Sequence, residues 1–338
     1  MAFDKSFNAP AVLSGVAQAT FEGIYEGSIV SDYMPVNENP GLSFNFSEND
    51  TALPKLAKYR SFNTRSDQTT SGGSKAHQGK LPPISRRYNV DEYSHITLIG
   101  GDLGAEFEKK TTQIAAEIAM RLVVGAAEAI ETGKLSIEEN GLQFDIDFGR
   151  KAELSATAPT VWTDAAADVI GDLTALRQVY GTTPGSIVIP EIVLWALTRN
   201  VGIIKFVVQR GSDLPTEVTL QDVMSVLASF GFSGIRTNDE RYLDHDDVEQ
   251  NLFSQDKVLF LPGAQSMLSL ATGGGSLGTL EVGIPAEALD PDAGVGKTPG
   301  LFAGALRDHD PEGYDVLVST IALPVLRSAN KTAALTVL

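Results

Sequence analysis

Ile114, Ile118, Leu122, Ala126 and Ile130 recur every four residues, with Phe107 earlier on the same face. That spacing predicts one long amphipathic helix from Gly104 to about Thr132, with Gly133 placed as a left-handed cap. At 1.5 Å per residue such a rod is roughly 40 Å long, more than an ordinary globular helix needs. It reads as a spine against which other elements lie. Directly after it, LQFDIDFGR (142–150) sets Phe144, Ile146 and Phe148 on one face and Asp145 and Asp147 on the other, the period of a strand with one wet side. Residues 1–50 show little helical periodicity and many turn formers. Two extended pieces stand out there, 28–36 (SIVSDYMPV) and 42–46 (LSFNF), the second alternating through Leu42, Phe44 and Phe46. An arm of that kind lacks a core of its own and must lie on something else.

Residues 155–300 read as an α/β unit. Asp164 and Asp168 open a helix that ends at Gly181, and SIVI (186–189) is a strand. Pro190 begins another helix, Leu220 to Phe230 a third, and KVLFLP (257–262) a further strand. The apolar runs 315–326 and 333–338 read as terminal strands, and no internal repeat is present.

Charge changes this picture in one place. The 338 residues carry 26 basic and 43 acidic groups, a net of −17. Yet the window 51–90 holds Lys55, Lys58, Arg60, Arg65, Lys75, Lys80, Arg86 and Arg87 against Asp67 alone, a net of +7, leaving −24 for the remainder. Its centre, DQTTSGGSKAHQGK, has the composition of a long loop tip, and such loops usually act outside the body that carries them. The run reads either as a solvated surface loop or, more economically, as a segment that docks on an acidic surface of another copy of the same chain. An acidic chain is also a poor reader of nucleic-acid sequence.

Candidate chemistry fails on inspection. With no cysteine, disulfides, thiolate nucleophiles and thiolate metal sites are excluded. Gly296, Lys297 and Thr298 imitate the end of a phosphate loop, but Pro291 occupies the position where that loop needs its first glycine. Gly273, Gly275 and Gly278 have dinucleotide spacing without the helix that must follow. His77, His95, His245 and His309 form no helical metal pair, and the acidic loops around His245 and His309 lack the glycine turn and distal glutamate of a calcium loop. Asp145 and Asp147 are better explained by their strand, and no serine sits in a nucleophile elbow. No residue is nominated for catalysis, cofactor binding or metal ligation. The start MAFDKSFNAP does not read as a secretory leader, and no apolar run is long enough to span a membrane.

The order of these parts resembles the major capsid proteins of tailed bacteriophages, the α+β Hong Kong 97-type fold, and particularly its lambda-like capsid E branch. The likeness rests on SIVSDYMPV followed by GLSFNF, the basic window, the 104–132 helix, IDFGR followed by VWTD, TTPGSIVIPEIVLWALTRN, RYLDHDDVEQNLFSQDKVLFLPG and YDVLVSTIALPVLRSANKTAALTVL, in order over about 300 residues. It implies an N-terminal arm and first strand (1–50), an extended β-hairpin loop (51–95), and a peripheral domain with the spine helix (96–154). An axial domain (155–300) and return strands of the peripheral domain (301–338) would follow. It implies a structural protein without cofactor that self-assembles as hexamers and pentamers into an icosahedral head in the host cytoplasm. The head would enclose double-stranded DNA, contacted non-specifically, with scaffold, decoration and portal proteins as further partners. The eight basic residues of the loop would then be the inter-subunit contacts. Some family members cross-link a loop lysine to a distant asparagine, for which Lys75 or Lys80 and Asn330 are the positions here, although the lambda-like branch does not generally do so. The rival readings are an encapsulin-like compartment shell and, in another class, an α/β hydrolase or nucleotide-binding enzyme.

Overall fold

The computed structural model describes residues 3–47, 76–97, 102–208, 215–237, 239–263, 277–309 and 312–338. In chain order the helices are α1 (Pro10–Gly27), α2 (Glu92–Thr97), α3 (Leu103–Thr132), α4 (Val169–Tyr180), α5 (Glu191–Leu197), α6 (Val201–Val207) and α7 (Leu220–Ser229). The strands are β1 (Val36–Glu38), β2 (Ser43–Ser47), β3 (Ala76–Lys80), β4 (Pro83–Val90), β5 (Lys134–Glu139), β6 (Leu142–Asp147), β7 (Ser155–Thr157) and β8 (Ser186–Val188). They continue with β9 (Ile235–Arg236), β10 (Arg241–Leu243), β11 (Glu249–Asn251), β12 (Lys257–Leu261), β13 (Gly278–Val282), β14 (Phe302–His309), β15 (Glu312–Leu326) and β16 (Ala333–Thr336).

The spine helix forms where its periodicity places it. Asp102 caps α3 by accepting from the Ala105 N–H, and Gly133 closes it at φ 72°. Its buried stripe of Phe107, Ile114, Ile118, Leu122, Ala126 and Ile130 lies on β15. That strand organises the peripheral sheet. Its first half is flanked by β14 and β4, its second half pairs with β13, and β1 adds parallel to β13. Burial along β15 follows the same division. Val316 and Val318 alternate with half-buried neighbours, whereas from Val318 to Leu326 every residue is buried, as a strand covered on both faces requires.

The N-terminal segment departs from expectation. Residues 10–27 are helical, begun by Pro10 at the first helical position, and Leu13, Ala17, Phe21 and Tyr25 form a fully buried stripe at i+4 spacing. That stripe seats α1 against α3 and β14 of its own chain, so the arm shares the peripheral core. The chain ahead of it is also anchored, with the Phe7 ring edge-on to Phe107 and Tyr314.

The axial sheet has the order β7-β16-β12-β8-β9, with α4, α5 and α7 contributing to the core on one face. Its central strand has two apolar faces: Val258 and Phe260 enter the axial core, Leu259 and Leu261 the peripheral core. The two sheets also exchange chain relative to the sequence boundaries. Residues 278–282 sit in the peripheral sheet as β13, and 333–336 return to the axial sheet as β16 between β12 and β7. The cause is burial, since Ala333 and Leu335 complete the axial core whereas Leu280 and Val282 complete the peripheral one. Among the described residues no helix is long and apolar enough to cross a membrane.

Candidate inter-subunit hairpin and its anchor

Strands β2 and β3 pair antiparallel with each other, Ser43 opposite Lys80 through Ser47 opposite Ala76, and join neither large sheet. They form the stem of the basic hairpin. Inside the stem the buried Phe44 ring covers Gly79 directly across the ladder, while Leu42 at its base is exposed. Lys80 ends the stem as an exposed side chain. Lys55, Lys58, Arg60, Arg65 and Lys75 lie outside the described residues.

Arg86 and Arg87 are placed differently from Lys80. They belong to β4, inside the peripheral sheet, because residues 83–90 pair with 314–321 of β15. Arg86 meets Glu117 of α3 at 2.9 Å and Arg87 meets Asp315 at 3.0 Å, with Asn89 donating to the same Asp315 carboxylate at 2.8 Å. Each of these arginines therefore already has a carboxylate of its own chain. A charge run in sequence does not show which cations a neighbouring strand has partnered.

The stem is held at its base by a network that sequence reading missed. Glu281 of β13 is 2% exposed. One carboxylate oxygen accepts from the Thr279 hydroxyl at 2.6 Å and the Arg327 guanidinium at 2.8 Å. The other accepts from the side-chain amides of Asn37 at 2.8 Å and Asn39 at 3.1 Å. Asn39 also donates to the Ser43 carbonyl at 3.1 Å, the first residue of the stem, while its carbonyl accepts from the Gly41 N–H at 2.9 Å. Burial alone would raise the pKa of Glu281. The bonds from Thr279, Asn37 and Arg327 outweigh burial and hold it below the ordinary carboxylate range.

A second buried carboxylate joins the spine helix to the axial sheet. Glu131, in the last turn of α3, accepts from the Ser254 hydroxyl and N–H at 2.5 and 3.0 Å and from Lys257 of β12 at 2.6 Å. Again burial opposes ionisation, and the bonds from Lys257 and Ser254 prevail, leaving its pKa lowered. Both glutamates thus ionise more readily folded than unfolded. Their contribution is complete above the unfolded value near 4.5 and disappears as pH falls through the lower folded values. Melting temperature is expected to fall between about pH 5 and 3, and Glu131→Gln to flatten that fall. An unchanged slope would show that the pair does not govern acid stability.

The chemical motifs of the sequence gain no supporting geometry among the described residues. No group of three or more His, Asp or Glu converges there as metal ligands. Gly278 of the dinucleotide-like spacing starts β13 and lies in the sheet, whereas Gly273 and Gly275 fall outside the described residues. Pro291 starts a single turn and no helix follows Thr298, so the phosphate-loop imitation has no helix N-terminus. A groove of ≈ 420 Å³ lies beside α4 and α6, and two of its polar side chains are committed: Asp168 caps the Gly171 N–H, and Asn200 bonds Ala167 and Ile203 backbone groups. Asn330 accepts from the Lys151 backbone N–H at 3.0 Å.

Comparison with known proteins agrees with this architecture. A family model described as phage major capsid protein E matches residues 42–337. A prophage protein of Escherichia coli CFT073 assigned as a capsid protein is similar in structure at a TM-score of 0.61 and 13% identity, covering 95% of this chain and 99% of that one. A phage-related protein of Bordetella bronchiseptica is similar at 0.54 and 12% identity, covering 98% of each chain. A search of curated proteins finds no match.

Proposed function

Since this chain belongs to the phage major capsid protein E family, we propose that its subunits close into hexamers and pentamers through the basic hairpin carried by β2 and β3. Family membership makes the protein a structural component of the virion capsid, the subunit of an icosahedral shell with the Hong Kong 97-type fold, and not an enzyme. It also favours the phage head over a bacterial compartment shell.

The observation that carries the hairpin reading is the stem's independence. Its two strands leave both sheets, and the window they bound holds six cations besides the two that β4 pairs internally. The rest of the subunit is strongly acidic, so a hairpin from one copy finds complementary charge on the next. Each such contact is modest, and icosahedral symmetry repeats it many times. Scaffold, decoration and portal proteins would join such a shell, and packaged DNA would meet an acidic lumen that holds it loosely.

Replacing Lys55, Lys58, Arg60, Arg65, Lys75 and Lys80 with glutamine tests docking without touching Arg86 or Arg87. The expected result is an unchanged subunit melting temperature with loss of closed shells, read by sedimentation velocity and negative-stain microscopy. Normal shells from this variant would remove the hairpin from the assembly contact. In the parent protein, contacts between exposed charges should also weaken as salt rises above physiological strength, where the screening length is about 8 Å.

A further inference from the structure

An assembly hairpin is useful only if it leaves every subunit in the same direction. Two short strands that pair only with each other do not set that direction, because a two-stranded ribbon is marginal by itself. The direction must come from whatever ties the ribbon to the rigid sheet. At the stem base the backbone supplies two bonds: the Leu81 N–H donates to the Leu42 carbonyl at 2.9 Å, and the Pro82 carbonyl accepts from the Ala322 N–H of β15 at 3.3 Å. The first joins stem to stem; the second, with the buried Leu81 side chain, ties the β3 side to the sheet and leaves the β2 side in need of a tie of its own.

Asn39 supplies the tie on the β2 side. Its backbone N–H donates to the Val282 carbonyl at 2.8 Å, which fixes the residue on β13. Its side chain then uses every polar group it has: one amide proton on Glu281, the other on the Ser43 carbonyl, and the carbonyl oxygen on the Gly41 N–H. An asparagine amide can bridge a carboxylate and a carbonyl in this way because it offers two donors and an acceptor; an aspartate cannot. Glu281 is itself immobile, buried and held by Thr279, Asn37 and Arg327. The chain of bonds therefore runs from β13 of the peripheral sheet to the first residue of the stem.

We propose that Asn39, clamped on the buried Glu281 carboxylate, is the positioning residue that holds the β2 strand of the stem and, together with the Pro82 tie on the β3 side, fixes the direction in which the hairpin leaves the subunit, and thereby whether neighbouring subunits meet in a closed shell. The proposal rests on the reading of the hairpin as the inter-subunit contact. Its role differs from that of a stabilising surface bond. Losing Asn39 leaves both cores intact, so the subunit stays folded while the hairpins of different copies point in different directions.

The test uses the full chain with Asn39→Ala, Asn39→Asp and Glu281→Gln. The protein has no cysteine, so Gln78→Cys on the stem and Gln113→Cys on the spine helix give a unique spin-label pair. In Asn39→Ala the label-to-label distance is expected to broaden while the melting temperature stays within about 4 °C of the parent. The yield of closed shells should fall at least about fivefold, the factor that one lost hydrogen bond carries. Asn39→Asp should be worse than alanine, because its carboxylate would face both Glu281 and the Ser43 carbonyl. Glu281→Gln should broaden the same distance. Parental label distances, or parental shell yield in spite of broadened distances, overturn the clamp. Should the glutamine-substituted hairpin assemble normally, the docking reading fails first. Should that variant fail while Asn39→Ala assembles normally, the clamp alone is wrong.

Discussion

A chain lacking residues 1–27 is expected not to fold as a subunit, which is the largest effect the structure implies. The segment removed contains α1, whose Leu13, Phe21 and Tyr25 are fully buried against α3 and β14. Each large side chain contributes about 1.5–3 kcal/mol by burial, so these three alone supply on the order of 5–9 kcal/mol. That is comparable to the whole net stability of about 5–15 kcal/mol typical of a folded protein. The deletion would also expose the matching stripe of α3 and leave the Met34 carbonyl without the Tyr25 hydroxyl that donates to it at 2.7 Å. Urea titration followed by circular dichroism is the appropriate measurement, together with soluble yield. A truncated chain with parental midpoint and slope would mean that α1 does not occupy this seat in solution.

Gly185→Ala is expected to be the most damaging single methyl group. A Cβ at this position would lie 2.2 Å from the Gly263 nitrogen and 2.4 Å from its Cα, both backbone atoms two residues beyond the end of β12. Glycine is required there because two backbones approach too closely for any side chain, and the Gly185 N–H donates to the Leu261 carbonyl at 3.0 Å in the same contact. Relief demands separation of β8 from β12, which lie side by side in the axial sheet. The cost is expected to be at least about 3 kcal/mol, at the upper end for overpacking. Gly15→Ala is the control, since nothing lies within 4 Å of its Cβ and helix propensity favours alanine by about 1 kcal/mol. Equal midpoints for the two variants in denaturant would refute the close approach.

Local elements with their own signals were legible. The i+4 stripe and Gly133 marked α3 within a residue, and Asp168 and Gly181 bracket α4 as its cap and terminator. Helix α1 escaped although Leu13, Ala17, Phe21 and Tyr25 share one face, because glycine, alanine, serine and threonine dilute the stripe. Its helicity is decided by the facing groove on α3 and β14. Arg86 and Arg87 carried a loop's charge signature and sit in a strand, since pairing with residues 314–321 lies beyond any local window. Glu281 and Asn39 gave no signal at all. They are 242 positions apart, and a glutamate in an alternating strand ordinarily faces water.

The amino-acid order alone determined the kind of the elements with strong local signals, α3, α4, β6, β8, β12 and β15 among them, the absence of thiol chemistry, and the separation of a basic window from an acidic remainder. These depend on residues a few positions apart and on composition. Only the tertiary structure decided which sheet each strand joined, which face of β12 served which core, and which cations were neutralised within the subunit. Those outcomes depend on burial and on pairing between distant segments, and a strand has the same local pattern whichever neighbour it finds.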